Sequence, residues 1–185
     1  MTPSSKPKVF CIGFHKTGTK SIGHALELLG YRVCGPVGVR RPDIAERALE
    51  LALATAKDFD AFQDNPWPIL FRELDQAFPG SRFILTVRDL DDWLASAVNH
   101  FGRKTTPMRE WIYGAGAPLG NEARYRARHQ AHLDAVRAHF RHRPDDLLEF
   151  PLTRQPDWGP LCRFLDLPPP AAPFPALNQR RAPSP

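Results

Sequence analysis

Val9-Phe10-Cys11-Ile12-Gly13-Phe14-His15-Lys16-Thr17-Gly18-Thr19-Lys20-Ser21-Ile22 is the stretch whose reading decides the fold. It opens on a short apolar run that stops at Gly13. After a Gly/Lys/Thr turn, Ile22, Ala25, Leu26 and Leu29 recur at helical spacing until Gly30. The spacing predicts a strand, a loop and a helix closed by glycine. In that context backbone N–H groups and the positive end of the helix bind an anion. A nucleoside-triphosphate loop, G-x-x-x-x-G-K-[ST], would put lysine directly after the second glycine; here Thr19 stands there and lysine is displaced to position 20. Lys16 instead lies inside the loop, two residues before Gly18, where its ammonium can curl over a group being transferred.

Working outward, residues 31–33 read as a brief strand, and Pro42 opens a helix in which Ile44, Ala48, Leu51 and Ala52 share a face. A third strand is expected over 60–63, a helix over 69–78 ended by Pro79-Gly80, and the clearest strand over 82–87. Asp89 caps the next helix. A loop rich in Gly and Pro then leads to a basic helix within 124–143, a strand over 147–150 and a helix over 158–165. Strands alternating with helices imply an α/β fold: a single three-layer domain with a mainly parallel sheet, right-handed crossovers and a P-loop-like strand–loop–helix. Ligands sit at the carboxyl ends of such strands, where Gly13, Asp64 and Arg88 all fall. The domain is expected over 1–167, followed by a proline-dense tail over 168–185 that runs extended on the surface.

With 185 residues, 42% of them hydrophobic, the chain is long enough to bury one core without staples. No apolar stretch approaches the roughly 20 residues of a membrane helix, and residues 1–8 are polar with no apolar block behind them, so a cytoplasmic location is expected. Cys11, Cys34 and Cys162 are odd in number and widely spaced among apolar neighbours, which reads as reduced thiols filling the core. The net charge of +5 is carried mainly by arginine and points to an anionic ligand or partner. Charge alone does not choose between a nucleotide and nucleic acid. The arginines between 124 and 143 read as a solvated basic face, with Leu133, Val136 and Phe140 on the other side. His129 and His132, like His139 and His142, are three apart, but no carboxylate or cysteine spacing completes a metal site. No G-x-S-x-G elbow is present, and Gly114-Ala115-Gly116 does not follow a strand.

The core Lys16-Thr17-Gly18-Thr19 resembles the lysine-[Ser/Thr]-Gly-Thr segment with which the sulfotransferase superfamily binds the 5′-phosphosulfate of 3′-phosphoadenosine 5′-phosphosulfate (PAPS). That family also carries an arginine at a strand end, followed eight residues later by a helical serine, for the 3′-phosphate. Arg88 and Ser96, in Val87-Arg88-Asp89-Leu90-Asp91-Asp92-Trp93-Leu94-Ala95-Ser96, are similar to it. The resemblance continues through Asp60-Ala61-Phe62-Gln63-Asp64-Asn65-Pro66 and Phe78-Pro79-Gly80. It extends to Leu161-Cys162-Arg163-Phe164-Leu165 and Pro173-Phe174-Pro175, which look like the ending of a short, bacterial-type subfamily. The departure is the absence of the glycine-rich, lysine-bearing C-terminal loop of larger members. Arg103, Lys104, Arg180 and Arg181 are left as candidates to close the 3′-phosphate side.

The resemblance implies a transferase that moves a sulfuryl group in line from PAPS to an acceptor hydroxyl and releases 3′-phosphoadenosine 5′-phosphate (PAP). Lys16 would neutralise the leaving oxygen. The N–H groups of Thr17, Gly18, Thr19 and Lys20 would hold the 5′-phosphate, with hydroxyls of Thr19 or Ser21 adding donors. Helical spacing separates the apolar stripe Leu90, Leu94, Ala97, Phe101 from a face with Asp92, Ser96, Asn99 and Arg103, so Ser96 is available to a ligand. Arg88 suits bidentate phosphate contact; the competing reading is an ion pair with Asp89, Asp91 or Asp92. The proton acceptor is sought among Asp64, His15 and His100. Asp64 is preferred, against a local turn hydrogen bond; His15 against packing beneath the loop; His100 against a helix-end role. Trp67, Trp111, Tyr113 and Phe101 either line an acceptor pocket or fill the core. The expected acceptor is a small molecule or a carbohydrate- or lipid-type compound, with no nucleic acid, membrane or metal partner. The competing functions are a P-loop nucleotide kinase or NTPase, and a basic nucleic-acid-binding protein using the arginine-rich helix.

Overall fold

The computed structural model describes residues 6–154 and 156–177. The strands are β1 (Val9–Cys11), β2 (Val33–Cys34), β3 (Ala61–Phe62), β4 (Arg82–Thr86) and β5 (Leu147–Phe150). The helices are α1 (Thr19–Leu28), α2 (Ile44–Thr55), α3 (Phe71–Ala77), α4 (Leu90–Phe101), α5 (Pro107–Tyr113), α6 (Glu122–Phe140) and α7 (Trp158–Leu165). The strands form one sheet in the order β2-β3-β1-β4-β5, and every pairing is parallel. β1 lies in the middle and is buried throughout, which is why its sequence is an uninterrupted apolar run.

Alternation along β1 sends side chains to two separate cores, one on each face of the sheet. Phe10 stacks between Phe62 and Phe83, with ring centroids 4.7 and 5.5 Å away, in the core covered by α2, α3 and α6. Val9 and Cys11 face Ile22, Leu26, Phe150 and Leu161 in the core covered by α1 and α7. The three layers are thus helix, sheet, helix. The three cysteines are buried thiols. Among the described residues no helix is long and apolar enough to cross a membrane.

Several elements differ from the sequence expectation. β2 begins at Val33 rather than at residue 31. The segment read as a Gly/Pro loop contains α5, started by Pro107 behind a Thr106 side chain that accepts from the Arg109 N–H at 3.2 Å and stopped by Gly114 in a left-handed conformation. The buried side of α4 centres on Trp93, Leu94 and Ala97, while Leu90 and Phe101 are half-buried. Trp67 is fully buried in the core, and Tyr113 nearly so. α6 is a basic solvated face only on its outer side: His129 and His132 are 1% and 2% exposed. The ring of His132 stacks on Phe14 at 4.3 Å, and its Nε2 lies 2.7 Å from the Ile12 carbonyl.

The arginines of this helix and of the turn behind it are engaged within the chain. Arg126 pairs with Asp91, Arg137 forks onto Glu149 at 3.0 and 2.5 Å, and Arg143 pairs with Asp75 at 2.5 Å. Arg124 and Arg128 donate to the carbonyls of Gly114 and Ile112. Of the tail, residues 168–177 run without regular structure against α7. Trp158 donates to the Ala172 carbonyl at 2.7 Å, Phe174 packs on Trp158, and the Leu177 N–H donates to Ser21 Oγ at 2.9 Å. Arg180 and Arg181 lie outside the described residues.

Burial holds the His129 and His132 rings neutral, lowering both pKa values to about 4. An unfolded histidine takes its proton near pH 6.5. Between these values the unfolded chain therefore binds more protons than the folded one, and stability falls as pH drops from about 6.5 towards about 4. Each such histidine contributes a slope of up to about 1.4 kcal/mol per pH unit. His129 Nδ1 also has no partner, so His129→Phe keeps the aromatic contacts and removes an unpaired buried atom. Urea unfolding should show this variant at least as stable as the parent at pH 7.5 and clearly more stable at pH 5.

Candidate active site

The loop between β1 and α1 is held against the end of β4. A Cβ at Gly13 would lie 2.0 Å from Thr86 Oγ1 and 2.4 Å from the Thr86 carbonyl oxygen, so only glycine fits. Thr17, fully buried, donates its hydroxyl to the Phe14 carbonyl or shares a hydrogen with Thr86 Oγ1, both at 2.6 Å. Its N–H also closes onto Phe14 O at 3.3 Å. Thr17 therefore shapes the loop. Lys16 and Gly18, at φ 67° and 102°, take left-handed backbone on either side of it. Such alternation turns successive N–H groups into one concavity.

Gly18 is the N-cap of α1 and brings no side chain to it. The first-turn N–H groups of Thr19, Lys20 and Ser21 have no acceptor within the helix. At a positive helix end such N–H groups can accept an anion. The Ser21 hydroxyl is buried and bonded to the Leu177 backbone, which leaves its N–H as the group open at the helix start.

Two long-range bonds fix the backbone on either side of Lys16. The Trp93 indole N–H donates to the His15 carbonyl at 2.8 Å, and Arg88 Nη1 donates to the Lys16 carbonyl at 3.2 Å. The ion pairs that competed for Arg88 are not formed. Asp89 caps α4 through the N–H groups of Asp91 and Asp92, and Asp91 pairs with Arg126. Ser96 is half-buried on α4, one turn before the exposed His100 and on the same side.

His15 is 4% exposed beneath the loop, with Nδ1 3.2 Å from Asn65 Nδ2 and Nε2 3.3 Å from the Tyr113 hydroxyl. Burial, reinforced by Arg109 and Lys16, lowers its pKa to about 3. It is a neutral spacer at neutral pH. Asp64 lies at the end of β3 in left-handed backbone, φ 68°. One carboxylate oxygen accepts from the Asn65 N–H at 2.8 Å, the other from Thr19 Oγ1 at 3.3 Å, so the local turn bond and a contact to the anion-binding helix coexist. Burial raises the Asp64 pKa against the opposing pull of Lys16 and Lys20. His100 is lowered by desolvation and by Lys16, Lys20, Lys104 and Arg109. The structure thus gathers Lys16, Thr19, Lys20, Asp64, Arg88, Ser96 and His100 at the carboxyl edge of the sheet, with His15 and Thr17 beneath. Among the described residues no three His, Cys, Asp or Glu side chains converge to hold a metal ion.

Trp93 escaped the sequence reading, although its place beside Leu90, Leu94 and Ala97 was a signal. Arg109 gave none.

This geometry meets an independent comparison: the family model of the sulfotransferase domain matches residues 8–120 and 100–182. The chain belongs to the sulfotransferase family. It is a transferase of sulfuryl groups whose acceptors are small molecules. No curated relative matches it.

Gly13→Ala should therefore cost both stability and site geometry, since the methyl group meets both the Thr86 hydroxyl and the β4 backbone carbonyl behind it. A loss of about 1–3 kcal/mol in chemical unfolding is expected, and anion binding at the loop should weaken.

Proposed function

We propose that the sulfuryl donor is PAPS and that the group is accepted by a hydroxyl oxygen. The observation that carries this reading is an uncapped helix start at Gly18 with the guanidinium of Arg88 bonded to the same loop and paired with no described carboxylate. Two anion-binding elements, one made of backbone and one of a forked cation, suit a nucleotide bearing phosphates at both its 5′ and 3′ positions. The donor set fits such a ligand: N–H groups of Gly18, Thr19, Lys20 and Ser21 for the 5′-phosphate, and Arg88 with Ser96 for the 3′-phosphate. Bound there, PAPS supplies the activated sulfuryl group.

The chain's own residues do the rest. The loop and Arg88 hold the donor so that its sulfur faces the cleft, which replaces a bimolecular encounter by a fixed alignment. Lys16 meets the negative charge that builds on the bridging phosphate oxygen as the sulfur–oxygen bond breaks. Asp64 takes the proton of the acceptor hydroxyl as its oxygen bonds to sulfur. Its raised pKa brings its basicity closer to neutral pH than an ordinary carboxylate, and Thr19 orients it. His100, exposed across from Lys16, is the second candidate for this proton. The displaced lysine at position 20 argues against a kinase or NTPase. The α6 arginines are paired within the chain, which favours the nucleotide reading over a nucleic-acid one.

PAP should raise the melting temperature increasingly with its concentration, and ATP with magnesium should do so weakly or not at all. Equal protection by ATP would overturn the donor assignment. Arg88→Ala and Ser96→Ala should weaken PAP far more than adenosine 5′-phosphate, as isothermal calorimetry can show.

Lys16→Met should lower single-turnover rates by about a hundredfold to a thousandfold while PAP affinity falls modestly. For Asp64 the acidic limb of the rate profile should lie above the ordinary carboxylate range, because activity is lost as pH falls through the raised pKa. Asp64→Asn should abolish that limb. If it persists unchanged, another group takes the proton.

A further inference from the structure

The two ends of α4 lie on opposite sides of the transfer point. At its start, Arg88 follows β4, one neighbour of the central strand. The helix passes over the loop through the Trp93 bond to His15 and ends at Phe101, whose ring meets the His15 ring edge-on at 4.9 Å. The chain then continues into α5, which packs on α2, and the Met108 N–H faces the Val39 carbonyl in the loop after β2. Asp64 ends β3, on that same flank of the sheet. Residues 102–106 therefore border the cleft on the side of Asp64, beyond Lys16 from Arg88. α4 runs five residues, about 7.5 Å of helix rise, past Ser96 before it stops at Gly102, and Arg103 follows that stop.

This border is cationic and rigidly held. Arg103 and Lys104 are exposed and make no ion pair among the described residues. Beneath them Arg109 is 6% exposed and likewise has no carboxylate partner. Its guanidinium donates to the Lys104 carbonyl at 2.6 Å and the Gly116 carbonyl at 2.8 Å and lies 4.3 Å from the Phe101 ring centre. A buried cation is normally matched by a carboxylate. Here backbone carbonyls, the Tyr125 hydroxyl and an aromatic face solvate it without a direct carboxylate contact, Glu110 lying nearby beside Gly116, while it pins the loop. The charges that act most on neighbouring His100 are likewise all positive. The 5′- and 3′-phosphates account for Lys16, Lys20 and Arg88. They leave Arg103, Lys104 and Arg109 without an anion.

We propose that the acceptor is itself an anion: a hydroxyl compound carrying a carboxylate or phosphate that Arg103 and Lys104 hold while Asp64 addresses the hydroxyl. The assignment rests on the PAPS reading above and deepens it. It moves Arg103 and Lys104 from the 3′-phosphate to the acceptor, and it makes Arg109 a positioning residue for their loop. The exposed placement of both side chains makes their truncation harmless to folding.

The test titrates PAP-saturated protein, by NMR, with phenyl glucoside, phenyl glucuronide and phenyl glucoside phosphorylated on its primary hydroxyl. At least one of the two anions should bind about fivefold to tenfold more tightly than the neutral sugar at low ionic strength, and the advantage should shrink with added salt. Arg103→Ala with Lys104→Ala should erase it and leave PAP affinity unchanged. Equal binding of all three sugars, binding of none, or an unchanged preference in the double variant overturns the proposal, as does a loss of PAP affinity in that variant. Failure of PAP to bind the parent protein would instead strike the donor reading, and the same sugar titration on ligand-free protein would still decide the acceptor's charge.

Discussion

The close approach of Gly13 to Thr86 is the constraint on which the site depends. β1 ends opposite Ile84, two residues short of the end of β4, and the chain leaving β1 must cross the end of β4 at backbone distance. Glycine allows the crossing, and the Thr17–Thr86 hydroxyl pair at 2.6 Å locks it. Everything that handles the ligand is then fixed relative to β4. The loop sets the direction of α1, the next residues of β4 carry Arg88 back to the Lys16 carbonyl, and α4 returns over the loop to place Trp93 on His15. A loose loop would present the same N–H groups, but without alignment to Arg88 or to Asp64. Alignment is what an in-line transfer requires.

How much of this the sequence discloses depends on how local each cause is. The strand–loop–helix is legible because glycine, lysine and threonine act through backbone conformation within a few residues. The parallel sheet is legible because strands buried on both faces read as apolar runs. α5 is hidden because seven residues give too little periodicity, although the Thr106-Pro107 start and Gly114 stop mark its ends. On α4 the stripe read from Leu90 to Phe101 is rotated towards Trp93, because the indole must bury its ring and still reach a carbonyl. The buried sides of His129 and His132 are set by Phe14 and Ile12, far away in sequence, and no spacing rule on α6 could have supplied that partner. Arg88 is intermediate: the motif proposes its role, and only the engagement of Asp89 and Asp91 elsewhere shows that it is not consumed by its neighbours.

The floor of the site has its own electrostatic logic. His15, His129 and His132 lie beneath the loop that carries Lys16, next to Arg109 and Arg128. Carboxylates in those places would cancel the positive potential, and aliphatic side chains would leave the Ile12 carbonyl and the Tyr113 hydroxyl without partners. Neutral imidazoles avoid both costs. His15 and His132 hydrogen-bond, the rings stack on Phe14 and Trp93, and burial suppresses their protonation, helped at His15 and His132 by neighbouring cations. The same choice recurs at Arg109, which is solvated by carbonyls and an aromatic face rather than by a counter-ion. Cations near this cleft are balanced by few carboxylates, Asp64 among them, and in a buried site of low dielectric their remaining field acts strongly on whatever enters it.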